Sequence, residues 1–193
     1  MNVDPSGIRD EVVLTLDRAR GHDDSVGIAG LVEVALLRPR RKAAGLEIIS
    51  LELIRNLVTQ VGDEYYGERA AGIASPPDQV TGMRLGTSTT AAAKTGAGAA
   101  IVAHISGSNV AIDGGFPTSA LNGSSRRIQW KTTWAAGTAT NSAITEAVIT
   151  NLTPIGTGAG AAADTISRVV FSAVDKGASD TLAITWSHDL LGA

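Results

Sequence analysis

Strict alternation of apolar and polar side chains recurs along the C-terminal part of the chain. In RRIQWKTTW, Ile128, Trp130, Thr132 and Trp134 occupy one face, and Arg127, Gln129, Lys131 and Thr133 the other. That is the period-two signature of a strand buried on one side. TLAITWSH repeats it, with Leu182, Ile184, Trp186 and His188 set against Thr and Ser. VTGMRLG (80–86), AAIVAHIS (99–106), AITEAVITN (143–151) and TISRVVFS (165–172) read as further strands. Nearer the N-terminus, VVLTLD (Val12–Asp17), LVEVALL (Leu31–Leu37) and GLEIISLEL (Gly45–Leu53) read the same way. Between the second and third of these lies the basic run Arg38–Lys42, expected as a solvated hairpin turn that Pro39 suits.

One stretch changes period. Ile54, Leu57, Val58, Val61 and Tyr65 recur at helical spacing and predict one apolar face of an amphipathic helix, stopped near Gly72 and the SPPD of Ser75–Asp78. Gly62 and Gly67 weaken it, each by about 1 kcal/mol relative to alanine. Strands separated by short Gly-, Ala-, Ser- and Asp-rich loops, with no helix between them, point to an antiparallel sandwich and not to βαβ units. The expected fold is mainly β: an antiparallel, jelly-roll-like β-sandwich with one amphipathic helix and an N-terminal β-rich extension. The expected divisions are 1–53, an N-terminal β-rich segment; 54–78, helix and linker; and 79–193, the sandwich.

Charge is unevenly spread. Residues 1–72 hold 21 of the 35 charged side chains, and the remainder is rich in Thr, Ser, Ala and Gly. Such a charge-poor segment suits packing against neighbours better than a free-standing enzyme surface. A net charge of -3 argues against binding nucleic acid through phosphate neutralisation. With no cysteine, disulfides, thiolate metal sites and cysteine nucleophiles are all excluded. MNVDPSGIRDEVV shows no basic region followed by an apolar core, and Ala97–Ile105 is too short to span a bilayer. The expectation is a soluble chain without a cleaved leader; the sequons at Asn122 and Asn151 then carry little meaning.

TGAGAA occurs twice, at Thr95–Ala100 and Thr157–Ala162. A phosphate-binding glycine run follows a strand and opens a helix, whose N-terminal N–H groups face the phosphate. The second copy runs instead into the strand-like ADTISRVVF, and no Gly-Lys-Ser/Thr follows either copy. Both read as loop material, or as places where backbone approaches another subunit. Other candidate chemistry is sparse. His22 with Asp23 and Asp24 matches no metal-cage spacing, and His104 and His188 read as half-buried sheet histidines at strand ends. Asp63, Glu64 and Glu68 lack a partner nearby and read as a solvated helix face. Trp130, Trp134 and Trp186 could form a sugar-stacking platform, but their faces assign them to the core. No catalytic, cofactor-binding or metal-binding residue is assigned, no cofactor is expected, and an enzyme is not expected.

Three stretches carry a resemblance. LGTSTTAAAKTG (Leu85–Gly96) resembles the Gly-Thr-Gly-x-Thr-x-Pro-Ala segment of a family of small structural proteins of tailed bacteriophages. AITEAVITN resembles its Ile-Thr-Glu-Ala strand, and ISRVVFSAVDKGASDTLAITWSHDL resembles its Arg-x-x-Phe-x-x-x-x-Lys…Asp-Thr-Leu-x-Ile-Thr-Trp ending. NLVTQVGDEYYGERAAG resembles the preceding helix, so the likeness covers residues 54–193. The chain departs at Ala91–Ala93, where proline is usual, and at Val148, where glycine is frequent. The resemblance implies a non-enzymatic β-sandwich virion component, assembled in the bacterial host cytoplasm and homo-oligomeric, with a trimer as the family habit. Members serve as head-decorating, tail or tail-fibre proteins, so the implied partners are other copies of itself and the major capsid protein or tail proteins, with no nucleic acid and no membrane. Capsid decoration leads, because a short chain without fibrous repeats suits a surface cement. A tail, fibre or baseplate part binding a receptor or glycan is the alternative. On this reading residues 1–53 attach the protein to the particle.

Overall fold

In the computed structural model the described residues are 27–41, 44–153 and 155–191. The strand expected at Val12–Asp17 and the turn His22–Asp24 lie outside them. The described chain forms two five-stranded sheets, antiparallel throughout, and one α-helix. The first sheet runs in the order β2 (Leu46–Arg55), β1 (Gly27–Pro39), β10 (Thr181–Leu191), β7 (Ser125–Trp134), β6 (Thr118–Asn122). The second runs β3 (Leu57–Val58), β9 (Thr165–Lys176), β8 (Asn141–Thr150), β4 (Gly82–Gly86), β5 (Val110–Ala111).

The core is the space between the sheets. Register puts Val32 beside Trp186 and Trp186 beside Trp130, Val34 beside Ile184, and Leu36 beside Leu182, which lies beside Trp134. From the other sheet, Met83, Leu85, Ala147, Ile149, Val169 and Phe171 close on them. The three tryptophans are at most 2% exposed, so the core assignment holds and no tryptophan platform faces solvent. His188 differs from its expected half-burial. It lies within β10 and is wholly enclosed.

Three further expectations need correction. The spacing from Ile54 to Tyr65 is not one helix: Ile54 lies in β2, Leu57 and Val58 form β3, and only Val61 and Tyr65 belong to α1 (Gln60–Ala71). Thr59 sets that boundary. Its hydroxyl accepts the Gly62 amide and donates to the Thr165 and Ile166 carbonyls, capping the helix while tying it to β9. Gly72 closes the helix in the left-handed conformation, φ 67°. Second, AAIVAHIS is not a strand; a 3-10 turn at Gly96–Ala99 leads into a loop that joins the sheet's ladder at an isolated Gly86–His104 bridge. Third, residue 53 is not a structural boundary. β1 pairs with β10 from Gly27↔Leu191 to Leu37↔Thr181, so it is an inner strand of the sandwich. Local periodicity could not reveal this, because the pairing joins residues some 150 positions apart.

Candidate interaction surface

The sheets differ in what covers their outer faces. On the second sheet the outward positions include Arg84, Gly86, Glu146, Val148 and Arg168, as the register Arg84↔Val148↔Arg168 and Gly86↔Glu146 requires. All are buried, because residues 87–109 and 155–164 fold over them. Three of them are charged, and burying a charge demands partners. Arg168 gives Nη2 and Nε to one Glu146 oxygen, at 2.7 and 3.1 Å, and both side chains are fully enclosed. Glu146 also accepts the amides of Ser88 (3.2 Å), Val102 (3.1 Å) and Ala103 (2.8 Å), and Arg168 reaches the Gly98 carbonyl at 3.3 Å. Gly86 leaves the room: a Cβ there would lie 2.3 Å from the Glu146 carboxylate. The first TGAGAA thus supplies a carbonyl to a buried arginine.

Arg84 does the same for the second loop. It donates to Thr150 Oγ1 at 3.0 Å and to the Ile155 carbonyl at 2.6 Å, and Gly160 of the second TGAGAA passes directly over its guanidinium. Burial lowers the Arg84 pKa, and Asp164 opposes that shift. Gly86, Glu146, Arg168, Lys176 and Asp180 all lie in the stretches that carry the phage resemblance. Each of them holds the fold together. Lys176 caps the Ala135 carbonyl at 3.0 Å, and Asp180 holds Arg38 through two bonds of 2.8 and 2.9 Å. Arg38, expected in the solvated turn, is instead committed at the end of β1. Its hydrogen bonds hold the Asp180 pKa down at about 2.

The first sheet is not roofed. On β10 and β7 its outward side chains are mostly polar, Thr185 and Ser187 facing Lys131 and Gln129. On β1 and β2 they are mostly apolar: Leu31, Ala35, Leu37, Ile48, Leu51 and Leu53, with Leu46 at the strand's start, while Glu33 and Arg55 are the charged residues of that face. Leu46 and Ile48 are 45% and 57% exposed, and the bulge residue Ile49 is 43% exposed. Isolated exposed leucines are ordinary, whereas a contiguous row on an open sheet is the mark of a surface that meets a partner. The row was legible in GLEIISLEL only as a strand; its outward direction depends on the β1–β2 register.

Most of the remaining polar side chains bond one another. Tyr66 Oη lies 2.7 Å from His188 Nδ1, while Trp186 Nε1 and Asn56 Nδ2 both approach Nε2, at 3.1 and 2.9 Å. Two donors at Nε2 make it the acceptor, so the proton sits on Nδ1 and faces Tyr66. Burial drives the His188 pKa down to about 3 and that of Tyr66 upward. His104 bonds Asn109 at 2.6 Å. Asp63 pairs with Lys94 at 2.5 Å, whereas Glu64 and Glu68 border a cleft of about 450 Å³ with Asp78 and Asp164. Among the described residues no group of three His, Asp or Glu side chains could hold a metal ion, and no helix is long and apolar enough to cross a membrane. No family model, curated protein or solved structure matches this chain.

Proposed function

We propose that this chain is a non-enzymatic structural protein of a bacteriophage virion that decorates the capsid as a homo-oligomer and stabilises the head through subunit contacts. The observation that carries the reading is the asymmetry of the sandwich. One sheet is sealed by loops pinned through buried arginines, and the other presents the apolar row of β1 and β2. A rigid body with one adhesive side suits a cement that must resist distortion while gripping its neighbours. The charge-poor C-terminal zone costs little to desolvate, which favours burial between subunits. The resemblance of residues 54–193 to phage structural proteins supplies the setting. A glycan-binding tail tip is the weaker alternative, since the tryptophans that such a platform would use are buried.

The reading is tested by adding purified protein to phage heads that lack it and following co-sedimentation and heat resistance of the heads. Saturable binding with a rise in the temperature of DNA release supports decoration. Binding should fall at least tenfold when Ile48 and Leu51 are both changed to Asp in a protein that still unfolds cooperatively. Heads that neither bind the protein nor gain heat resistance would contradict the proposal.

A further inference from the structure

An edge strand with bare backbone invites another strand. β2 is the outermost strand of its sheet, and among the described residues no backbone hydrogen bond reaches its outer side. Natural edges are commonly guarded by lysine, proline or a bulge. β2 has neither lysine nor proline, and its bulge, between Leu36 and Leu37 in the β1 register, leaves the six residues Ser50–Arg55 regularly paired. VVLTLD, Val12–Asp17, is six residues long and precedes β1 by nine residues.

We propose that Val12–Asp17 of one copy adds as an antiparallel strand to the open edge of β2 in a neighbouring copy. The alternating patterns agree. With Val12 opposite Arg55, Leu14 falls opposite Leu53 and Leu16 opposite Leu51, extending the apolar outer face, while Thr15 meets Glu52 and Asp17 meets Ser50. Orientation follows from the fold, since every strand pair in both sheets is antiparallel. Delivering that orientation within one chain would require the connection to run back along β2 and past the end of β1. That path is roughly 30 Å, close to the full reach of the connection at about 3.3–3.6 Å per residue. A neighbour supplies the strand without that extension. The inference deepens the self-association part of the reading above and does not depend on attachment to a head.

The absence of native cysteine makes the test direct. Full-length Leu14→Cys and Leu53→Cys proteins are mixed, oxidised mildly and run without reductant. A covalent dimer is expected in the mixture, at least fivefold above either variant alone and above a mixture of Leu14→Cys with Ser50→Cys. The double variant should give interchain multimers. No excess of dimer in the mixture, or only an intrachain disulfide in the double variant, would overturn the proposal. Separately, Leu14→Glu with Leu16→Glu should reduce the mass by light scattering to that of a monomer with an unchanged circular dichroism spectrum; an unchanged mass counts against it. Loss of head binding with cross-linking intact would bear only on the decoration role.

Discussion

Replacing Glu146 with alanine isolates the device that holds the long loop on the second sheet. The carboxylate is fully enclosed and accepts two bonds from Arg168 together with the amides of Ser88, Val102 and Ala103, that of Val102 shared between its two oxygens. Its removal leaves a guanidinium with 0% side-chain exposure facing no anion, a change that costs about 3–5 kcal/mol in comparable buried pairs. The three backbone amides lose their acceptor at the same time, which places the effect toward the upper end. For a domain of this size each kcal/mol lowers Tm by about 2–4 °C, so a fall of roughly 6–20 °C is expected. Scanning calorimetry gives the shift, and hydrogen exchange locates it: the amides of Ser88, Val102 and Ala103 should lose protection while Val34 and Ile184 follow global stability. Arg168→Met alone leaves the carboxylate three donors, so its cost should be smaller than that of Glu146→Ala. A Glu146→Ala protein within about 1 kcal/mol of the parent, with those three amides still protected, would refute the clamp.

Three further outcomes are expected. The unfolded chain protonates His188 near its ordinary pKa of 6.5, whereas the folded chain holds it neutral down to about pH 3. The unfolded state therefore binds more protons in that window, and stability should fall as pH drops from 6.5 toward 4, by up to about 1.4 kcal/mol per unit. The contribution of Asp180, whose pKa is lowered, is lost only below about pH 4, so urea unfolding of His188→Gln should show a flatter slope between pH 6.5 and 4; equal slopes would dismiss the assignment. In α1, Gly67→Ala meets open space and should stabilise by about 0.5–1 kcal/mol, whereas Gly62→Ala would set its Cβ 2.2 Å from the Ile166 carbonyl and should destabilise despite better helix propensity. Two thermal melts decide it, and stabilisation by both would show that the α1–β9 contact has slack. Finally, acrylamide should quench the emission of native protein weakly, because Trp130, Trp134 and Trp186 are buried; quenching near that of free tryptophan would contradict the core.

The sandwich was legible wherever one face of a strand is buried and the other wet. β7 and β10 show this best, since Trp130, Trp134, Leu182, Ile184 and Trp186 alternate with polar residues in the sequence as they do in the sheet. Where both faces are buried, alternation fades, and in β8 and β9 the sealed outer face shows only as lone charges, Glu146 and Arg168, in apolar strands. A charge among β-branched residues in such a strand is the signal that a loop covers it. Helical spacing overruns the start of α1 because Ile54 packs against the same core as Val61 and Tyr65 while lying on a strand, and Leu57 and Val58 continue the spacing from another strand. Apolar spacing alone does not distinguish the two, whereas Thr59, a capping residue, marks the change. The roles of β1 and of the apolar row rest on long-range register, which no local pattern encodes. The reading of function leans on that row and on the phage resemblance together.

The central claim is that the protein sits on the phage head, and immunogold electron microscopy of intact virions with an antibody against the purified chain tests it most directly. Gold distributed over the head surface is the predicted result. Gold confined to the tail, or virions without label, would contradict it.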